Sequence, residues 1–227
     1  MISIEKQIGL VRENIARSAE RVGRDPAAIT LVAVTKRVEE VRLREAIAAG
    51  QGVFGENYLQ EAVDKIALLP KVVWHFIGGI QSNKLKVIAE IFDVVETIDR
   101  LKIAFGLEKQ LELLGKIMPV YLQVNIGREV QKSGVLPEQV DQLVIGVLQC
   151  PHLHLAGLMA MPPYNPDPEA SRIYFCQMKE LADGLVQRGV VAHPLGLSMG
   201  MSGDYEVAVE EGATVVRVGS ALFGDRG

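Results

Sequence analysis

Thr30-Leu31-Val32-Ala33-Val34-Thr35-Lys36 is the stretch that decides how this chain is read. It is apolar and rich in β-branched residues, with its first charge at the exit. That is the profile of a strand covered on both faces. Similar runs follow at 52–54, 72–77, 92–98, 118–125, 153–161, 193–199 and 214–218. Helical patterns fill the gaps at 38–49, 57–68, 81–90, 100–115, 137–149, 168–188 and 204–211. Upstream, Ile4, Ile8, Val11 and Ile15 mark one apolar face of a helix that stops at Gly23 and Asp25-Pro26. Strands alternating with helices imply βαβ units and a parallel sheet. Eight such units predict closure into a (β/α)8 TIM barrel rather than an open doubly wound sheet. No Gly-x-Gly-x-x-Gly follows the first strand, which argues against a dinucleotide fold. At 227 residues, the chain is expected to form one α/β domain over 1–227 with an extra N-terminal helix.

Composition removes several function classes. The net charge of −4 lacks the basic excess of a nucleic-acid binder, so no nucleic-acid partner is expected. The start, Met1-Ile2-Ser3-Ile4-Glu5-Lys6, lacks the pattern of a signal peptide. No run approaches ~18 apolar residues, so no membrane span is expected. Cys150 and Cys176 sit in unrelated segments without a Cys-x-x-Cys, as reduced thiols of a cytoplasmic protein would. His152 and His154 are spaced like a ligand pair, but no third ligand is evident and no metal site is expected. His193 enters the seventh strand, and His75, within the third, reads as a core histidine. No Ser-His-Asp constellation or nucleophile elbow stands out.

In such a barrel the functional end is the C-terminal mouth of the strands. Lys36 caps the first strand there. A desolvated lysine favours its neutral amine, a nucleophile for carbonyls, although on position alone a solvent-exposed lysine at a strand exit is the better fit. Arg217 lies inside the eighth strand, which neighbours the first; a buried arginine needs a partner, and a salt bridge in the barrel mouth is the plainer reading. Gly219 and Ser220 follow it, and Ser198-Met199-Gly200-Met201-Ser202-Gly203-Asp204 ends the seventh strand. The loops after strands seven and eight are a recurrent phosphate site, though simple turns would use the same residues. Asn57, beyond the second strand, either contacts a ligand or caps a helix. Gln81, Asn83, Lys84 and Asn125 are compatible with ordinary loop polarity, and 162–168 reads as one long rigid loop. A phosphorylated carbonyl ligand would use the lysine, the arginine and the phosphate corner together.

Several segments resemble the YggS/PROSC family of pyridoxal phosphate homeostasis proteins, whose cyanobacterial members are called PipY. They include Ala33-Val34-Thr35-Lys36, Phe54-Gly55-Glu56-Asn57-Tyr58, Trp74-His75-Phe76-Ile77-Gly78 and Gln81-Ser82-Asn83-Lys84. Further ones are Gln123-Val124-Asn125-Ile126-Gly127-Arg128-Glu129, Lys132-Ser133-Gly134, Gly157-Leu158-Met159, Leu197-Ser198-Met199-Gly200-Met201-Ser202 and Val216-Arg217-Val218-Gly219. They run in order along nearly the whole chain. The resemblance implies a fold-type III barrel related to the barrel domain of alanine racemase, with pyridoxal 5′-phosphate as cofactor. It implies that Lys36 matches the lysine forming the Schiff base and Arg217 the arginine facing the pyridine nitrogen. Asn57 matches a residue near the ring, Ser198, Ser202, Gly219 and Ser220 fall where the family grips the phosphate, and Met199 is expected among the cofactor-binding residues.

Two functions follow from the resemblance. One is a carrier or buffer that maintains vitamin B6 and amino-acid balance, with no catalytic residues of its own. The other is an amino-acid racemase or related pyridoxal enzyme. The eighth strand ends near residue 218, so the second domain that gives such racemases their tyrosine is not expected. A guanidinium cannot accept a proton, which implies a weaker electron sink than a carboxylate partner provides. The carrier reading is therefore preferred, with apo pyridoxal enzymes or a regulatory protein as partners and a monomer as the expected state. Lys84 and Lys132 read as solvated surface charges in preference to a second, transient cofactor site. A cofactor-free barrel enzyme acting on a phosphorylated metabolite is a third class.

Overall fold

The computed structural model describes residues 3–69 and 72–224, so both ends of the 1–227 range lie outside the described residues. Its strands are β1 (Thr30–Val34), β2 (Val53–Glu56), β3 (Val73–Phe76), β4 (Val94–Ile98), β5 (Met118–Val124), β6 (Leu153–Ala160), β7 (Gly196–Ser198) and β8 (Val215–Val218). They close in sequence order into one barrel. Parallel pairing of β1 with β8, with Thr30 opposite Val215 and Val32 opposite Arg217, makes the closure. The helices are α1 (Ile4–Arg21), α2 (Glu40–Ala48), α3 (Leu59–Leu68), α4 (Leu85–Ile91), α5 (Leu101–Leu114), α6 (Val140–Leu148), α7 (Arg172–Gln187), α8 (Tyr205–Glu210) and α9 (Ser220–Phe223). This is the eight-fold alternation expected from the sequence.

Side chains alternate along each strand, so the barrel has two apolar regions. The larger lies between strands and helices and holds Phe54, Trp74, Phe92, Leu122 and Leu158. The smaller contains Val32, Val94, Tyr121, Met159 and Val215 and fills the barrel interior. The interior is therefore a packed core and can carry a site only at its upper end. Helix α1 starts where the Ser3 hydroxyl accepts the Lys6 N–H at 3.3 Å. It buries Ile4, Ile8, Val11 and Ile15 against the barrel's outer layer. At ~1.5–3 kcal/mol per fully buried side chain, this face holds the additional helix firmly in place.

Some boundaries differ from the sequence reading. The run at 193–199 shortens to Gly196–Ser198, and His193 stays in the preceding loop. Pro194 has no N–H for a ladder, which explains the late start. His154 lies within β6, and its ring stacks on that of His193 with centroids 6.2 Å apart. The short α9 after β8 was not evident from periodicity. Among the described residues, no helix is long and apolar enough to cross a membrane.

Candidate functional site

A cavity of about 460 Å³ opens at the C-terminal mouth of the barrel. Lys36, Asn57, Arg217, Ser202, Gly219 and Ser220 line it, and the loop carrying Tyr164 forms another wall. The size lies within the ordinary range for small-ligand sites.

On the Lys36 side, the backbone is fixed on both flanks of the lysine. The Thr35 hydroxyl donates to Glu56 Oε1 at 2.7 Å, and Lys65 Nζ donates to the Thr35 carbonyl at 2.7 Å. Lys65 also donates to Glu56 Oε1 at 2.7 Å and to Glu61 Oε2 at 3.3 Å. Beyond the lysine, the Arg37 N–H donates to Glu61 Oε2 at 2.8 Å. Arg37 has φ +56°, an uncommon conformation for a residue with a side chain, so this contact supports a turn that would otherwise relax. Burial pushes the Glu56 carboxyl above its ordinary pKa, against the pull of Lys65 and Thr35. Its Oε2 is buried without a hydrogen-bond partner.

On the opposite side, Arg217 rises from β8 inside the barrel. Its Nη1 donates to the Ser198 hydroxyl on β7, and its Nη2 donates to the Ala160 carbonyl at 2.9 Å. The Ser198 hydroxyl donates to Glu96 Oε2 on β4 at 2.5 Å. Glu96 Oε1 meets His75 Nδ1 on β3 at 2.5 Å. Burial would raise the Glu96 carboxyl, but His75, Arg217 and Ser198 outweigh it and hold the pKa below the usual range. Burial pushes the Arg217 pKa down, and the Glu96 charge opposes that.

The third wall consists of small residues and backbone. The Ser202 hydroxyl accepts the Gly219 N–H at 3.1 Å and the Ala221 N–H at 3.3 Å. Gly200 shapes the approach with φ +93°, and a Cβ there would sit 3.0 Å from Tyr205 Cα. Asn57 Oδ1, at the cavity edge, is buried without a hydrogen-bond partner. Behind it, a Cβ on Gly78 would overlap the Asn57 backbone, lying 2.9 Å from its Cα. Glycine at 78 thus fixes where Asn57 enters the cavity.

Lys36, Asn57, Ser202, Arg217, Gly219 and Ser220 therefore share one cavity, as the sequence reading expected. Ser198 lies beneath it and meets Arg217. Met199 lies elsewhere, fully buried in the outer apolar layer. Met199 comes one residue past the end of β7, where the still-extended chain turns its side chain to the face opposite that of Ser198. Gln81 and Lys84 line a neighbouring cavity of about 320 Å³. Asn125 organises its own loop, accepting the Glu129 N–H at 3.0 Å. Lys132 donates to the Pro162 carbonyl at 2.8 Å, tying two mouth loops together. The sequence reading gave no role to Glu96, Glu56 or Lys65. For Glu96 a signal existed: one carboxylate inside Val94-Val95-Glu96-Thr97-Ile98.

Comparison with known proteins adds lineage. The family model for the alanine racemase N-terminal domain matches residues 8–227. The pyridoxal phosphate homeostasis protein of Pseudomonas aeruginosa is 46% identical over 231 residues, covering 100% of this chain and 97% of that one. The structure of PipY from Synechococcus elongatus, solved with PLP bound, matches with a TM-score of 0.80 at 35% identity, covering 92% of this chain and all (100%) of that one. Alanine racemase of Clostridium difficile shares the fold at 16% identity with a TM-score of 0.73, where the match covers 98% of this chain but 56% of the racemase. With a family model spanning nearly its full length and a relative this similar end to end, the chain belongs to the alanine racemase N-terminal domain family and, within it, to the pyridoxal phosphate homeostasis proteins.

Proposed function

We propose that the protein binds pyridoxal 5′-phosphate in the mouth cavity, held covalently through the Lys36 amine, and acts as a carrier of the cofactor in vitamin B6 homeostasis. The observation that carries this reading is the convergence of Lys36, Arg217 and the Ser202–Gly219–Ser220 corner on one cavity. The residues also fit the group in a more specific way. Asn57 presents a buried oxygen with no hydrogen-bond partner, an acceptor suited to a polar substituent of a bound ring.

Pyridoxal phosphate, when bound, supplies an aldehyde that condenses reversibly with amines and a ring that withdraws electrons. The Lys36 amine would hold the aldehyde end, and the fixed backbone at Thr35 and Arg37 limits where that amine can reach. The Ser202 hydroxyl, which accepts the Gly219 N–H and keeps its own proton to donate, would hold the phosphate end together with Ser220. Arg217 presents donors only, so it can hydrogen-bond a ring nitrogen but cannot take a proton from it. The position of a carboxylate partner, which would strengthen the electron sink, is occupied by this cation.

The tyrosines support a carrier rather than a racemase. Tyr121 belongs to the apolar interior, and burial, reinforced by Glu96, pushes its pKa up to about 12. The Tyr205 hydroxyl accepts from Asn14 at 2.9 Å, away from the cavity. Tyr58 is on the wall of the neighbouring cavity. Tyr164 does line the mouth, but it is 89% exposed and not held in place for proton transfer. A monomer working in the cytoplasm, passing cofactor to apoenzymes and so preserving amino-acid balance, completes the reading.

The test combines uptake with turnover. Titration with pyridoxal phosphate should produce a visible band saturating at one equivalent, and the loaded protein should reactivate an apo pyridoxal enzyme. Either alanine enantiomer should stay optically pure over many hours. Failure to take up cofactor overturns the binding site, and sustained racemisation that disappears in Lys36→Ala overturns the carrier role.

A further inference from the structure

We propose that Glu96 is the positioning residue for Arg217: through the Ser198 hydroxyl it sets where the guanidinium stands in the cavity, and His75 fixes it from the other side. The inference rests on the reading above, that pyridoxal phosphate occupies the cavity with Arg217 against its ring.

The four side chains come from four strands, β3, β4, β7 and β8, and form a chord across the barrel interior. The Glu96 side chain has no exposure (0%) and that of Arg217 has 3%. A carboxylate taken so far from water is costly unless every oxygen is matched. Each Glu96 oxygen has one short contact, His75 on Oε1 and Ser198 on Oε2.

The direction of these bonds carries the argument. A serine hydroxyl has one proton to give. Glu96 accepts only, so that proton points to Glu96. The Ser198 lone pairs then face away from Glu96, where Arg217 Nη1 meets them. Glu96 Oε2 itself stands 3.7 Å from Arg217 Nη1, close enough to attract the charge without replacing the bond. The second arm, Nη2 to the Ala160 carbonyl, completes a two-point hold. Substituting the Glu96 carboxylate with an amide breaks this logic. One of its two ends must become a donor: towards Ser198 it turns the hydroxyl's proton away, and towards His75 it requires the tautomer with an unprotonated Nδ1.

A polar chord is not needed to fill the barrel. The rest of the interior is filled by Val32, Val94, Tyr121, Met159 and Val215. Replacing buried charge with such packing is often neutral or stabilising, so the chord is better explained by orientation than by stability.

The experiment compares wild type with Glu96→Gln, Arg217→Met and the double variant, each loaded with pyridoxal phosphate. The readouts are the absorption maximum of the bound cofactor, its Kd by titration, and the melting temperature. Glu96→Gln should displace the band in the same direction as Arg217→Met and weaken binding about tenfold. The double variant should bind no more weakly than Arg217→Met alone, since both act through one contact. Additive losses, or a lower melting temperature with wild-type band and Kd, overturn the proposal in favour of a structural role. If Glu96→Gln does not fold, Ser198→Ala tests the same relay without stranding a charge. It should displace the band the same way and weaken binding about threefold, and wild-type values there overturn the proposal. Borohydride trapping at Lys36 in the wild type is read separately; its absence defeats the cofactor assignment, and the proposal falls with it.

Discussion

The two charged clusters flanking the cavity are built on opposite plans. Around Lys36, the holding groups run from the interior out to the rim: the Glu56 side chain is enclosed, that of Lys65 is 12% exposed and that of Glu61 34%. Around Arg217, the holding groups are sealed inside the barrel, with Glu96 wholly enclosed. The rim cluster acts on backbone, bracketing Lys36 through Thr35 and Arg37. The inner cluster acts on a side chain, the guanidinium itself. Under the proposed function, a covalent anchor that exchanges its cargo would suit the first plan, because the amine stays within reach of solvent and of other amines. A fixed electrostatic partner for the ring suits the second, because a buried charge pair is little screened.

This contrast can be broken in order of severity. Arg217→Ala should be the most damaging change, because it leaves Glu96 buried without its cation; about 3–5 kcal/mol is the usual cost of such a loss. For a chain of this size that corresponds to a fall in melting temperature of about 10 °C, measurable by calorimetry. Lys65→Ala should cost less, about 1–3 kcal/mol, since water can partly replace the amine at the rim. It should also slow cofactor loading by loosening the Thr35–Lys36–Arg37 backbone, which stopped-flow absorbance would detect. An Arg217→Ala protein that melts like the wild type would remove the distinction between the clusters.

Acid should separate them further, with opposite signs. Glu96 is held below the ordinary carboxylate pKa of about 4.3, so its contribution is present above that pH and is lost as pH falls through its lower folded value. Glu56 is raised, so the folded state holds its proton longer than the unfolded chain, and stability declines as pH rises through the window above about 4.3. Urea titrations between pH 3 and 7 should therefore show a shallower acid loss in Glu96→Gln. In Glu56→Gln, stability relative to wild type should improve as pH rises. The smallest effect is expected at the exposed Lys179–Asp183 pair on α7, where Asp183→Asn should cost about 0.3–0.5 kcal/mol.

Much of this was legible in the sequence. Eight apolar runs separated by helical patterns specify the barrel, because strands covered on both faces need apolar residues throughout. Lys36 and Arg217 stood out as charges at the end of, or inside, such runs. Met199 follows Ser198 directly in the chain, yet Ser198 meets Arg217 inside the barrel while Met199, one residue past β7, is buried in the outer layer. Glu96 lies 121 residues before Arg217 in the chain and 3.7 Å from it in space, a relation set by barrel closure alone. Lys65 reads as a helix-face lysine, and only packing brings its amine to the Thr35 carbonyl at 2.7 Å.

The most direct test of the account is borohydride reduction of the protein loaded with pyridoxal phosphate, followed by peptide mass mapping. The account predicts one stoichiometric adduct, on the peptide containing Lys36, and none in Lys36→Ala. An adduct carried chiefly by another lysine, or no adduct from a protein that remains colourless, would contradict it.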